Sequence, residues 1–316
     1  MSALPESVLA GLRQVLGGKV RFDEPLGRLT SMGIGGPADA YCLAGDLARL
    51  KAVLDVLALH HVRWLILGRG SNLLPADSGF RGAVIRLEGE FNQVEVQGTS
   101  VEAGAAVWLA TLVERAMAKD LGGLEFTTGI PGCVGGSLIG NAGTATEAIG
   151  DLVERVDVLV PGGAVRALAK QDLAFSYRTS VLKGMGAVVL RARFALEPRP
   201  RALVAERLKA YALKRRGQPH AMPNVGCIFR NPPGDSAGRL IDAAGLKGER
   251  VGRIEVSRVH ANFMVNVGGG TAADVRGLIL RVRERVRAAS GVTLQPEVVL
   301  LDETGRPAAL EAGAAC

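Results

Sequence analysis

Between positions 129 and 143 the chain reads GIPGCVGGSLIGNAG, too dense in glycine for a regular helix or strand and too apolar for a solvated linker. Such a stretch keeps a fixed course only if its backbone packs against something. A second segment of related character, 67-LGRGSNLL-74, follows a short buried strand directly. Its glycines, with Ser71 and Asn72, offer backbone N–H groups and small polar side chains where an anion can sit. Taken alone it reads equally well as a plain βα turn, because no GxxxxGK[ST] pattern accompanies it. Two such loops in one half of the chain point to a pyrophosphate gripped from two sides. A third segment, 33-GIGGPA-38, has the G-x-G-x-x-A spelling of a Rossmann loop without its context. No strand leads in, Pro37 and ADAYCL lead out, and the residue about 20 positions on falls within a helix, so the Rossmann fold is set aside.

Composition narrows the class further. The 316 residues are 48% hydrophobic and 22% charged, enough for more than one core, which excludes a disordered tail or a disulfide-stapled module. With 42 glycines against 13 aromatics, turns carry more information than stacking platforms for single-stranded nucleic acid would. The net charge of +7 comes from 30 arginines and 8 lysines, and guanidinium forks suit carboxylates and diphosphates. Cys42, Cys133, Cys227 and Cys316 lie far apart with no metal-ligand spacing, so no metal is expected and a reducing cytoplasm is. No basic-then-apolar leader opens the chain and no apolar run reaches a membrane span, so no membrane partner is expected.

Periodicity predicts an α+β chain. Helices are expected from Leu4 to Leu16, from a cap at Asp46 to about His60, and over Ala105–Ala118. Strands are expected at 38–44, 64–68, 82–87 and 93–97, then a hairpin at 152–160 and 164–169, and a strand at 187–196. A proline-and-charge break at 197–202 marks a boundary near 200, beyond which a basic helix, AERLKAYALKRRG, begins. Short strands at 227–230, 251–254, 262–266 and 297–301 alternate with helices at 237–244 and 271–290.

Several side chains carry possible chemistry. Tyr177-Arg178 lies in 175-FSYRTSVLKG-184, a pairing that is ordinarily surface decoration. Lys214, Arg215 and Arg216 end a helix and could clamp a diphosphate or face solvent. Cys227 sits in 223-PNVGCIFRNP-232, where a buried inert thiol is the default. Glu297 opens the apolar strand VVLL, an expensive place for a carboxylate unless it is paired or protonated. His260, in SRVHANFMVN, reads as a structural hydrogen-bonder.

In order, TSMGIGGPA, LGRGSNLL, GLEFTTGIPGCVGGSLIGNAG, SYRTS, PNVGCIFRNP, AGRLIDAAGLKG, VSRVHANFMVN and LQPEVV resemble the UDP-N-acetylenolpyruvoylglucosamine reductase family, from about Leu29 to Leu301. The resemblance implies an FAD-binding fold of the vanillyl-alcohol-oxidase (PCMH) type with two α+β subdomains, at 1–88 and 89–199. A C-terminal α+β substrate-binding domain follows at 200–301, with a tail at 302–316. It assigns FAD contacts to Leu67, Gly68, Arg69, Gly70, Ser71, Asn72 and Leu73, and to Gly129, Ile130, Pro131, Gly132, Val134, Gly135, Gly136, Ser137 and Asn141. It implies reduction of the enolpyruvyl group of UDP-N-acetylglucosamine enolpyruvate by NADPH through FAD, in peptidoglycan precursor synthesis. The short course between Arg178 and 197 resembles the family's loop-less type.

Arg178 and Glu297 match the family's positions for stabilising the substrate carboxylate as charge develops. A carboxyl group donates only when protonated, which an apolar setting would favour at Glu297. Cys227 stands where the family usually has a serine that protonates C2, and a thiol can serve there. Tyr177, Lys214, Arg215, Arg216 and Asn231 are expected to hold the substrate, and a monomer is expected. Two other readings compete: an FAD-dependent small-alcohol oxidase of the same binding type, and a basic nucleic-acid binder using the outer face of helix 271–290.

Overall fold

The computed structural model describes residues 4–219 and 221–308. Helix α1 (Glu6–Leu16) stops at Gly17, whose φ of 56° and N–H bond to the Arg13 carbonyl turn the chain away. Val8, Leu12 and Leu16 recur on one face and are buried against α2 (Leu47–Leu59), which Asp46 caps by accepting the Arg49 N–H at 2.7 Å. Strands β1 (Val20–Pro25), β2 (Pro37–Ala44) and β3 (Trp64–Ile66) precede the short β4 (Leu73–Pro75) and β5 (Phe80–Leu87). They form a sheet in the order β1-β2-β5-β3, with β2 and β3 parallel to β5, and β4 leaves that sheet.

The second sheet is antiparallel throughout, β10-β9-β11-β7-β6. Its strands are β6 (Val94–Gln97), β7 (Ser100–Gly104), β9 (Val153–Leu159), β10 (Val165–Ala169) and β11 (Val188–Ala195), with the two-residue β8 (Leu121–Gly122) outside it. Apolar residues such as Val101, Val156, Ala192 and Phe194 alternate onto a core shared with the first sheet. On the other face Glu102 gathers Arg155, Arg191 and Arg193 at 3.1–3.3 Å from across the strands. Helices α3 (Leu109–Met117), α4 (Val134–Ile139) and α5 (Ile149–Leu152) lie in the connections.

Strand β12 (Glu197–Pro198) pairs with β8 and leads into α6 (Arg201–Lys214). Beyond it, α7 (Ala237–Ala243), β13 (Arg250–Val251), β14 (Ile254–Val256), β15 (Met264–Asn266) and α8 (Ala272–Ser290) build a second core from Leu240, Ile254, Met264, Val275, Leu278, Val282 and their neighbours. Met32, Ile34 and Leu74 from the N-terminal half complete that core, so the two halves share packing. The carboxylate of Asp77, also from the N-terminal half, accepts the N–H groups of Ala272 and Ala273 at 2.7 and 3.0 Å and so caps α8. The last strand, β16 (Val299–Leu301), runs parallel to β4.

Several expectations need correction. The helix expected from Ala105 begins only at Leu109, because 100–104 is the interior strand β7 and the Ala105 N–H is taken by the Leu190 carbonyl. Strand β1 carries a half-exposed alternation too weakly apolar to stand out in the sequence. Residues 227–230 make two isolated bridges, Cys227 to Phe263 and Phe229 to Pro296, instead of a regular strand. The stretch at 251–254 is a hairpin turn through Gly252 at φ 54°. Of the expected tail, 302–308 folds back on β16, with the Ala308 N–H on the Leu300 carbonyl, and 309–316, including Cys316, lies outside the described residues. The segment 33–38 does turn into a strand: Gly33 and Gly35 have φ of 72° and 133°, and Pro37 opens β2.

Candidate active site

The first glycine-rich loop spans the gap from β3 to β4. Leu67 is buried and its N–H is held by the Ile85 carbonyl at 2.9 Å, which anchors the loop to the sheet. A Cβ on Gly68 would stand 2.6 Å from the Cys133 sulfur, so the missing side chain is what lets the second loop approach. Gly70, at φ 60°, lies against the Leu29 backbone and gives its carbonyl to the Ser31 N–H. Ser71 donates its hydroxyl to the Pro131 carbonyl, tying the loops together a second time. Among the described residues the N–H groups of Gly68, Arg69, Gly70, Ser71 and Asn72 find no acceptor in the protein.

The second loop is pinned from below. Its Val134 and Gly135 N–H groups go to the Val107 and Ala105 carbonyls at 2.9 Å, and the Gly132 carbonyl takes the Leu109 N–H. Val134 and Ser137 are buried supports, while Gly129, Pro131 and Gly136 are exposed. The N–H groups of Gly129, Gly132 and Gly136 have no protein acceptor among the described residues. Two facing stretches of unpaired donors, close because glycines omit the intervening Cβ atoms, are what the diphosphate of a flavin dinucleotide requires. The residues present fit that group.

Loop and C-terminal module meet at Asn72 and at Leu73, which pairs with Val299. The Asn72 amide donates to the Glu297 carbonyl at 3.2 Å and the Asn72 carbonyl accepts the Val299 N–H at 3.0 Å. Glu297 is further fixed by its own N–H on the Ile228 carbonyl at 2.7 Å, which sets it beside the Cys227 segment. Its carboxylate meets Arg178, whose Nε lies 2.7 Å from Oε1 without aiming its N–H at that oxygen. The apolar surroundings expected for Glu297 are therefore not found, since a guanidinium brought in by tertiary contact faces it. Arg178 occupies the second central position of a tight turn in which Ser176 and Thr179 exchange backbone bonds. Its φ of 60° is unfavourable for a side chain other than glycine or asparagine, a strain of about 1–3 kcal/mol that the surrounding contacts hold. One more nitrogen, Nη1, reaches the Gly143 carbonyl at 3.4 Å, and Nη2 has no protein acceptor among the described residues.

The Cys227 thiol is pushed up to about 11, chiefly by burial and then by the Glu297 charge, against the pull of Arg178, Arg215 and a hydrogen bond with Asn262. Of the three basic residues at the end of α6, only Arg215 turns inward. It packs over Gly129, lies near enough to Cys227 and Arg178 to feel both charges, and has its own value lowered mainly by burial. Lys214 and Arg216 are exposed, so the helix end presents one cation to the cluster, not three. Tyr177 and Asn231 are brought together, the Asn231 N–H pointing to the phenol oxygen at 3.4 Å. The Asn141 amide is spent within the protein, donating to the Ser176 carbonyl and accepting the Gly150 N–H, both at 3.0 Å; it supports the Arg178 turn.

Sequence reasoning missed two residues here. Asn262 clamps the Cys227 segment through both sides of Phe229, accepting its N–H at 2.9 Å and donating to its carbonyl at 2.8 Å. Arg230 carries a buried Nε with no hydrogen-bond partner among the described residues. An asparagine beside His260 and an arginine in a basic chain gave no sequence signal. Among the described residues no group of three or more His, Cys, Asp or Glu could hold a metal ion.

The fold and the paired loops define an FAD-binding α+β protein in which a C-terminal module packs beside the first glycine-rich loop. The FAD binding domain family matches residues 38–169, and the C-terminal domain of UDP-N-acetylenolpyruvoylglucosamine reductase matches 218–301. The chain belongs to the UDP-N-acetylenolpyruvoylglucosamine reductase family. It is 42% identical over 299 residues to reductase 2 of Symbiobacterium thermophilum, covering 94% of this chain and 96% of that one. With the Rubrobacter xylanophilus reductase it shares 43% over 295 residues, covering 93% and 99%. The crystal structure of the Thermus caldophilus reductase superposes with a TM-score of 0.78 at 38% identity, over 89% of this chain and 97% of that one.

Proposed function

We propose that the protein reduces UDP-N-acetylglucosamine enolpyruvate to UDP-N-acetylmuramate with NADPH as donor. The observation that carries the reading is the Arg178–Glu297 contact at 2.7 Å beside Cys227, on a carboxylate whose backbone is bonded to the flavin loop. FAD, which loops 67–73 and 129–137 would hold, would supply the hydride chemistry that links NADPH to C3 of the enolpyruvyl double bond. Arg178 binds the substrate carboxylate through the guanidinium edge left without a protein acceptor and stabilises the negative charge that develops there. Glu297 fixes the Arg178 side chain in that pose. Cys227 holds a proton at Sγ, since a thiol pushed up to about 11 stays protonated at neutral pH, and delivers it to C2. The thiolate so formed recovers its proton from water. Arg215 offers its cation to the substrate diphosphate, and Tyr177 and Asn231, which meet at 3.4 Å, hold the substrate beside it.

In this reading residues 1–88 and 89–199 are the FAD-binding subdomains and 200–301 the substrate domain, with loops 67–73 and 129–137 as the cofactor contacts. We also infer a monomer in a reducing cytoplasm. Cys42, Cys133 and Cys227 are free thiols, and no helix among the described residues is long and apolar enough to cross a membrane.

Anaerobic NADPH should bleach the flavin bands of the purified protein, and the enolpyruvyl substrate should restore them. In Arg178→Ala bleaching by NADPH should be unchanged while the return slows by about 10²–10³-fold. A flavin that only oxygen reoxidises would overturn the assignment and favour an alcohol oxidase.

A further inference from the structure

Within the two glycine-rich loops, 67–73 and 129–141, Arg69 is the only charged side chain. No carboxylate of the described residues pairs with it; its partner is Trp108, with the guanidinium carbon 3.7 Å from the ring centroid. That is a close stack for an arginine on an indole. Trp108 is 48% exposed, which spends a large apolar surface on water unless the ring serves another purpose. It stands in extended conformation immediately before α3 and is bridged antiparallel to Cys133 of the second loop. The next residue, Leu109, gives its N–H to the Gly132 carbonyl at 3.1 Å. The stack thus joins the first loop to the second, in step with the Gly68–Cys133 approach on one side and the Ser71–Pro131 bond on the other.

We propose that Arg69, held over the Trp108 ring, is the counter-charge for the diphosphate of the flavin dinucleotide, and that Trp108 is the positioning residue that keeps it there. This rests on the FAD reading above. Backbone N–H groups supply only partial charges, whereas a diphosphate brings two full negative ones into the cradle. Arg215, the nearest other cation to the second loop, is turned toward the Phe126 carbonyl and the Cys227–Arg178 cluster. A free arginine would lose its rotamer freedom on meeting phosphate. Stacking on Trp108 removes most of that freedom before the ligand arrives.

The test is titration of the apoprotein with FAD, followed by flavin fluorescence at low and high salt, for wild type, Arg69→Gln, Trp108→Ala and Trp108→Phe. Arg69→Gln should raise the FAD Kd at least about tenfold at low salt and flatten its salt dependence. Trp108→Ala should raise the Kd roughly threefold, as expected for a lost cation–π contact, and Trp108→Phe should recover most of that loss. The thermal midpoint of the apoprotein should stay constant through the series. Wild-type affinity and salt slope in Arg69→Gln would overturn the proposal, as would a Trp108→Ala loss matched by a fall in the apoprotein midpoint. A wild-type protein that takes up no FAD would instead overturn the underlying reading.

Discussion

The proton on Cys227 offers the sharpest test of the site. Burial and the Glu297 charge raise the thiol from its ordinary 9.0 to about 11, while Arg178, Arg215 and Asn262 pull the other way. At pH 9 an ordinary thiol is half ionised, whereas one at about 11 is ionised to roughly 1%, so its thiolate is about fiftyfold scarcer. Pulsed alkylation, read at the Cys227 peptide by mass spectrometry, should give a rate that climbs tenfold per pH unit through pH 10, because access scales the rate without moving the bend. Glu297→Gln removes a group that raises the value, so the bend should move down; Arg215→Gln removes one that lowers it, so the bend should move up. The fold responds in the same direction. A thiol that keeps its proton in the folded state and loses it in the unfolded one stabilises the fold below pH 9, and that contribution drains away as the pH rises from 9 to 11, by on the order of 2–3 kcal/mol at most. A bend at or below pH 9 in the wild type would refute the reasoning, and only a bend below about pH 7 would remove Cys227 as a neutral-pH proton source.

Other consequences follow from single contacts. Asp77→Ala removes the carboxylate that caps α8 from the other half of the chain and should cost about 1–2 kcal/mol, read from the denaturant midpoint, with Asp77→Asn losing less. Gly68→Ala places a Cβ about where the Cys133 sulfur needs its space, so FAD should bind more weakly; pairing it with Cys133→Ala should restore part of the affinity, and additive effects would exclude the steric account. Glu125, 1% exposed, faces Arg199 at 2.5 Å, accepts the Gly123 N–H at 2.7 Å and is held below its ordinary value by its hydrogen bonds and Arg199 against the opposing cost of burial. Its contribution is therefore present above the ordinary carboxylate range and lost as the pH falls through the lowered value. Glu125→Leu should cost about 3–5 kcal/mol near neutral pH by leaving Arg199 without its buried partner, a penalty that should shrink in acid.

How much of this was legible depends on whether a feature is local. The opening helix, the Asp46 cap and the hairpin at 153–169 follow from apolar periodicity and turn residues, which act over a few positions. The capping box of Thr271 and Asp274 is local in the same way, and Gly268–Gly270 turn the chain into it. The two glycine-rich loops were visible because their composition suits no regular element. Strand β7 was missed because five residues of modest hydrophobicity become an interior strand only when β6 and β11 flank them.

The site itself divides along the same line. The residue types Arg178, Cys227 and Glu297 stand in the sequence, and the motifs around them carry the family resemblance. Their chemistry does not. Glu297 becomes a paired carboxylate because Arg178, held in a strained turn, arrives from more than 100 residues away. The Cys227 thiol is pushed up to about 11 because burial and the Glu297 charge outweigh Arg178, Arg215 and Asn262. Of Lys214, Arg215 and Arg216, where α6 ends and turns, only Arg215 faces inward, and which one does so depends on where the helix end docks. Sequence determines which groups are available and the local backbone each prefers; burial and charge are sums over neighbours, and the neighbours are chosen only when the two halves pack.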